Sequence, residues 1–141
     1  MNIKDVEVDS KIAENSEDML TAIFNGQRKL MEKYHHIEKS VGLLQTEDVP
    51  VNLHSHKGQA RLKDFAWRIT EEIGEAMSCL KNKPWKQTQM ETDVIHYYEE
   101  LSDALHFFIE LCILSGIDEK MLYDLYFRKH SVNLFRQRSQ Y

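Results

Sequence analysis

The chain of 141 residues has few of the residues that form turns and covalent cross-links. It contains only 5 glycines and 2 prolines, which is less than a many-stranded β fold needs for its turns, so the composition favours an all-α fold. Its 2 cysteines are not spaced as a CxxC motif. We therefore interpret Cys79 and Cys112 as small buried hydrophobic residues in a reducing compartment.

An excess of positive charge and a long apolar run are missing as well. Lys and Arg number 18 against 23 Asp and Glu, a net charge of −5, which disfavours a generic nucleic-acid binder. No apolar run reaches the roughly 20 residues that cross a membrane. Residues 1–10 lack the apolar region of a signal peptide. The sequence thus predicts a cytoplasmic protein with no nucleic-acid or membrane partner.

Apolar residues recur at helical spacing along most of the chain. The third helical segment is apolar nearly all round, which predicts a central position in a bundle of four to five helices. Eight of its residues are expected to face the core: Val94, Ile95, Tyr98, Leu101, Leu105, Phe108, Leu111 and Cys112. The first predicted helix begins at Ser16. The second spans residues 58–80, the third spans residues 92–115, and the fourth runs from the N-cap Asp118 to Arg136.

The remaining segments are polar. The polar composition of residues 1–15 predicts a flexible N-terminal arm. Residues 16–141 are predicted to form a single domain, as expected for a chain of this length. The sequence of residues 40–57 predicts a long loop or short helical pieces, and assigns no role to this segment although it contains His54 and His56. We interpret His96 and His106, in the third helix, as hydrogen-bonded core residues.

Acidic residues interrupt the apolar pattern of the second and third helices. Glu72 and Glu75 are three positions apart and share one helix face, and Glu100 and Asp103 repeat this spacing on the next helix. Four carboxylates that face each other repel strongly unless cations neutralise them, and oxygen-only ligands suit Mg²⁺ or Mn²⁺. The alternative is that both pairs lie on solvated helix faces.

A basic stripe follows near the C-terminus. No acidic residue follows Asp124, and Lys129, Asn133 and Arg136 lie at i, i+4 and i+7, on one face of a helix. Such a stripe suits phosphate oxygens, through charge-assisted hydrogen bonds. The alternative is that basic side chains here complement the helix dipole, which accounts for Arg136 better than for Lys129 and Asn133.

Together these segments resemble the all-α nucleoside triphosphate pyrophosphatase superfamily, which includes dimeric dUTPases, phage dCTPases and MazG-like enzymes. The superfamily pattern EExxE…ExxD matches Glu71–Glu75 and Glu100–Asp103, and the interval of 28 positions from Glu72 to Glu100 is similar to the dUTPase branch. Three further segments carry the likeness: Gln27 with Leu30, Pro84-Trp85-Lys86, and the end of the chain from Tyr126 to Tyr141.

The resemblance implies an enzyme that hydrolyses a deoxynucleoside triphosphate, first of all dUTP, to the monophosphate and pyrophosphate. It implies two or more Mg²⁺ ions, replaceable by Mn²⁺, with Glu72 and Glu75 as catalytic residues and Glu75 accepting the proton of the attacking water. The implied metal ligands are Glu72, Glu75, Glu100 and Asp103. The implied phosphate contacts are Lys86, Lys129, Asn133 and Arg136, and the base contacts are Gln27 and Trp85.

The resemblance also implies a homodimer or tetramer, because one short bundle does not enclose the substrate. The tail is similar to phage enzymes, which would act in the host cytoplasm. Gln87-Thr88 stands where the dUTPase branch often has further aromatic residues, so dCTP, both pyrimidine nucleotides, or purine nucleotides as in MazG-like relatives are alternatives. The non-enzymatic alternative is a helical interaction module that dimerises through the third helix.

Overall fold

The computed structural model describes residues 18–44 and 48–140, which form helices and connecting segments without a strand. The predicted all-α class is therefore confirmed for this part of the chain. The predicted arm, residues 1–15, and the predicted helix start at Ser16 lie outside the described residues. The helices are α1 (Met19–Ser40), α2 (His56–Cys79), α3 (Val94–Leu114) and α4 (Glu119–Arg138). None of these helices is long and apolar enough to cross a membrane.

Each described helix begins after a polar residue whose side chain accepts a hydrogen bond from the first turn. Asp118 accepts from the backbone N–H of Met121 at 2.8 Å, as predicted. Ser55 accepts from the N–H of Gly58 at 2.9 Å, so α2 begins earlier than predicted. A Cβ at Gly58 would lie 1.9 Å from the carbonyl oxygen of Asn52, so only glycine allows the loop to approach the helix this closely.

The helices α2 and α3 run antiparallel. Phe65 contacts Phe107 with ring centroids 6.2 Å apart. Two turns further along α2, Glu72 lies close to Glu100, which is two turns before Phe107 on α3. Successive contacts therefore advance along α2 and go back along α3. Helix α1 packs across α3. Two small clusters form the core: Met31, Val51, Phe65 and Leu114, and beside them Phe24, Ile109 and Cys112. Cys79 and Cys112 are buried and free, as predicted.

One face of α3 remains open to solvent. The prediction that the apolar residues of α3 face the core is confirmed for Cys112, which is buried, and for Leu111, which packs against the first core cluster, while Ile95 is partly buried. It is wrong in the single chain for the other five, because α1 and α2 cover other sides of α3 and α4 does not pack over this one. Every described residue from Tyr123 to Gln140 is exposed. The open stripe, 40–62% exposed, consists of Val94, Tyr98, Leu101, Leu105 and Phe108.

One acidic side chain is buried in the core between α1 and α3. Glu110 is 1% exposed; Gln27 donates a hydrogen bond from Nε2 to its Oε2 at 3.0 Å, and His35 Nε2 lies 3.8 Å from its Oε1. Burial raises the pKa of Glu110 from 4.5 to about 7, although the hydrogen bond from Gln27 and the charge of Arg61 act in the opposite direction.

We expect the free energy of unfolding to fall as the pH rises through the range in which Glu110 ionises. Because the pKa of Glu110 is raised in the folded state, its favourable contribution is fully present below about 4.5 and is lost as the pH rises through about 7. Glu110→Gln stays neutral and can still accept the hydrogen bond from Gln27, so it should remove up to about 3 kcal/mol of this loss. Urea unfolding in EDTA at about pH 5 and pH 8 measures the difference. Equal pH dependence in the variant and the wild type would contradict the raised pKa.

Candidate metal centre

Three carboxylates converge between α2 and α3. Glu72 comes from α2, Glu100 and Asp103 come from α3, and one oxygen of each lies within 4.8 Å of the other two. The spacing of three residues places Glu100 and Asp103 on one face of α3, and the antiparallel pairing brings Glu72 opposite them. Glu72 is partly buried, Glu100 is buried and Asp103 is exposed, so this acidic cluster opens to solvent on one side.

Glu75, the fourth predicted ligand, lies at the edge of the acidic cluster. It follows Glu72 by one turn of α2 and is exposed. Its negative charge acts on Glu72, whose pKa it helps to raise. The structure thus brings together three of the four predicted carboxylates and places the fourth beside them.

Glu100 is held through one oxygen only. His96 Nε2 lies 2.6 Å from Glu100 Oε1, whereas Oε2 is buried and has no hydrogen-bond partner. Burying a carboxylate oxygen without a donor costs about 1–3 kcal/mol, and a cation shared with Glu72 and Asp103 would remove that cost. Since the cluster offers only carboxylate oxygens, its donor set fits Mg²⁺ or Mn²⁺.

The acidic cluster concentrates negative charge at Glu72. Burial, then the hydrogen bond that Glu72 makes with Glu100 when Glu72 is protonated, then the charges of Glu75 and Asp103 raise the pKa of Glu72 from 4.5 to about 7. When Glu72 and Glu100 are both ionised, neither can donate a hydrogen bond to the other. Only a bound proton or a bound cation between the two carboxylates removes their repulsion. The proton and the cation therefore compete for the same place.

The segment between α2 and α3 carries Trp85 and Lys86, both of which are exposed. Its two ends are joined by Asn82, which donates from Nδ2 to the carbonyl of Met90 at 3.1 Å and accepts at Oδ1 from the N–H of Met90 at 2.8 Å. Lys83 Nζ lies 5.5 Å from the ring centroid of Trp85, which is 75% exposed. The hydrogen bonds thus close a loop that presents Trp85 and Lys86 to solvent.

Gln27, the predicted base contact, lies in the core. It is 3% exposed and donates its hydrogen bond to Glu110. Glu110 follows Asp103 by two turns on the same side of α3, so Gln27 lies roughly 10 Å from the acidic cluster along the helix axis. Its role toward a base stays a prediction.

The predicted basic stripe lies on the exposed part of α4, where Lys129, Asn133 and Arg136 share one helix face. No hydrogen bond or ion pair within residues 18–44 and 48–140 joins Lys129 or Asn133 to the acidic cluster. The charges that act most strongly on Glu72 are all acidic. Within one chain, the basic stripe and the acidic cluster are therefore not brought into contact.

The sequence analysis placed His96 and His106 wrongly and did not single out the buried Glu110. The hydrogen bonds of His96 and His106 are confirmed, the second reaching the carbonyl of Ser102 at 2.8 Å, but both histidines are exposed rather than in the core. The spacing of four residues between His96 and Glu100 was the available signal. The signal for a buried Glu110 was its position as a single acidic residue inside an apolar run of α3.

Comparison of the chain with protein-family models, with curated proteins and with solved structures finds no match. The resemblance to the nucleoside triphosphate pyrophosphatase superfamily therefore stays a prediction based on the sequence motifs. The case for a metal centre depends on the geometry of the acidic cluster.

We expect Mn²⁺ or Mg²⁺ to raise the stability of the folded chain by binding the acidic cluster. At a cation concentration about 100 times the dissociation constant, the gain would be about 2.7 kcal/mol. The gain should be larger at about pH 8 than at about pH 6, because protons compete for Glu72 as the pH falls below its pKa of about 7. Thermal unfolding with and without Mn²⁺ measures it.

The controls for this stabilisation use matched charge changes. Glu72→Gln should abolish the gain, whereas Glu32→Gln, which removes the same charge from an exposed position on α1, should preserve it. An undiminished gain in Glu72→Gln would show that the cation binds elsewhere.

Proposed function

We propose that the protein is a divalent-cation-dependent nucleoside triphosphate pyrophosphatase that converts a deoxynucleoside triphosphate, first of all dUTP, to the monophosphate and pyrophosphate. The observation that carries the proposal is the acidic cluster: Glu72, Glu100 and Asp103 lie within 4.8 Å of one another, and a buried oxygen of Glu100 has no donor. The sequence segments that resemble the superfamily supply the class of substrate.

The side chains of the cluster have separate roles in this proposal. Glu72, Glu100 and Asp103 would hold the cations, which when bound would neutralise phosphate charge and lower the pKa of a water molecule. Glu75 is exposed one turn from Glu72, so it can accept the proton of the attacking water without leaving α2. Binding two or more Mg²⁺ ions would draw Glu75 into the ligand set as well.

The choice of dUTP depends on the sequence resemblance. Pro84-Trp85-Lys86 and the interval from Glu72 to Glu100 are similar to the dUTPase branch. Trp85 offers an exposed ring on which a base can stack, and Lys86 an exposed ammonium group for a phosphate. Gln27 would read the base only by exchanging its hydrogen bond to Glu110. Hydrolysis of dCTP, or of purine nucleotides, would use the same cluster with different base contacts.

We further propose a homodimer in which the basic stripe of each chain contacts the acidic cluster of the other; two such dimers would form a tetramer. The open stripe of α3 has the alternating spacing of four and three residues that is typical of a helix–helix seam. On α2, Ile73, Met77 and Leu80 are also exposed. A second copy would cover this apolar area, and the opposite charges of Lys129 and the cluster favour the arrangement. In a twofold dimer the contact occurs twice.

We expect the purified protein to release pyrophosphate from dUTP in the presence of Mg²⁺, faster than from dCTP, dTTP, dATP, dGTP or the ribonucleotides. EDTA should abolish the release, and Glu72→Gln or Asp103→Asn should lower it about a thousandfold, since a catalytic metal contributes several kcal/mol. Glu32→Gln is the control that should retain activity, and circular dichroism checks that each variant is folded.

The other outcomes of this assay separate the alternatives. A preference for dCTP or a purine nucleotide would keep the cluster chemistry and replace the proposed base. No release from any nucleotide would contradict the enzyme and favour the helical interaction module, for which the open stripe of α3 would be the docking face.

Mixed dimers test whether the basic stripe acts on the partner's cluster. We expect Glu72→Gln and a triple variant, Lys129→Ala, Asn133→Ala and Arg136→Ala, each to be inactive alone. Co-expressed, they should regain up to about a quarter of wild-type activity, because half of the dimers are mixed and one of their two sites has an intact cluster and an intact stripe. If the stripe served its own chain, both sites of a mixed dimer would carry a defect and no activity would return.

A further inference from the structure

A histidine that the proposed reaction does not use touches the acidic cluster. His96 lies one turn before Glu100 on α3, and its Nε2 is 2.6 Å from Glu100 Oε1. Because a carboxylate oxygen only accepts, Nε2 carries the proton of this bond. Its other ring nitrogen, Nδ1, lies 3.9 Å from Oδ2 of Asp93, the N-cap residue of α3. The ring thus stands between the helix cap and the cluster.

The two oxygens of Glu100 have different surroundings. Oε1 accepts the hydrogen bond from His96, whereas Oε2 is buried without a partner. A hydrogen bond to one oxygen fixes the rotation of the carboxylate, so the second oxygen is presented in one direction. One oxygen of Glu100 lies within 4.8 Å of one oxygen each of Glu72 and Asp103, and Oε2, which no donor occupies, is the oxygen available to a shared cation.

Filling the core is not the function of His96, since its side chain is 53% exposed. We propose that His96 is a positioning residue, whose hydrogen bond to Oε1 keeps Oε2 of Glu100 directed at the cation. This inference depends on the metal centre of the proposed function. Hydrogen bonds to the ligands of a metal are commonly worth 10- to 100-fold in metal affinity, because they remove the freedom that the ligand would lose on binding.

The test is the dissociation constant of Mn²⁺ for the full chain, measured by calorimetry and by the electron paramagnetic resonance of free Mn²⁺. We expect His96→Ala to weaken Mn²⁺ binding about 10- to 100-fold. His96→Gln should restore most of the affinity, because its amide can donate across the same i, i+4 spacing. His96→Asn is too short to reach Glu100 and should bind as weakly as His96→Ala, which provides a second variant if His96→Ala does not fold.

His106→Ala is the matched control. His106 is another exposed histidine of α3, and its ring bonds to the backbone carbonyl of Ser102 rather than to a carboxylate. Its replacement should leave the Mn²⁺ affinity unchanged.

Glu72→Gln separates failure of this inference from failure of the proposed function. If wild type binds Mn²⁺, Glu72→Gln does not, and His96→Ala or His96→Asn binds as tightly as wild type, the positioning role is overturned and the metal centre stands. Equal weakening in His96→Gln and His96→Asn would overturn it too, since the hydrogen bond would not be the cause. Absence of Mn²⁺ binding in the wild type would overturn the metal centre and the positioning role together.

Discussion

Repulsion among carboxylates between α2 and α3 is the constraint on which the rest of the site depends. The antiparallel pairing of the two helices carries Glu72 to Glu100 and Asp103, and no described lysine or arginine forms an ion pair with any of the three. The fold tolerates this charge because Asp103 faces solvent and His96 donates to one oxygen of Glu100. Oε2 of Glu100 stays buried without a hydrogen-bond partner, and a cation bound by the three side chains would neutralise their charge.

The buried Glu110 provides a comparison on the same helix. It is more deeply buried than any member of the acidic cluster, yet it accepts a hydrogen bond from Gln27 and lies near the charge of Arg61. Its electrostatic compensation thus comes from its own chain, as expected for a structural acid. Glu110 also has one buried oxygen without a hydrogen-bond partner, Oε1, but the charges of Arg61 and Arg68 act on it, whereas the charges that act most strongly on Glu72 are all acidic. This difference in neighbouring charge, rather than burial, distinguishes a candidate ligand site from a polar residue of the core.

The open stripe of α3 and the exposed length of α4 are two parts of the same unfinished packing. After Leu122, which packs against the second core cluster, α4 continues for about 24 Å without burying a side chain, although it carries Tyr123, Tyr126 and Phe135. Apolar surface of this extent is characteristic of an interface. The same helix carries Lys129, Asn133 and Arg136, three of the four predicted phosphate contacts, so assembly and substrate binding are linked in the proposed function.

The sequence by itself determined the local features: the all-α class, the N-cap Asp118, the long loop before α2, and the spacing that places Glu100 and Asp103 on one face. These follow from helical periodicity and capping, which depend on neighbours in the chain. Only the tertiary structure decided that Glu72 lies opposite Glu100, that His96 is exposed, that Gln27 is buried against Glu110, and that the stripe of α3 is open. Burial depends on which element covers each face of a helix. The sequence pattern of an apolar stripe is the same whether a neighbouring helix or a second chain covers it.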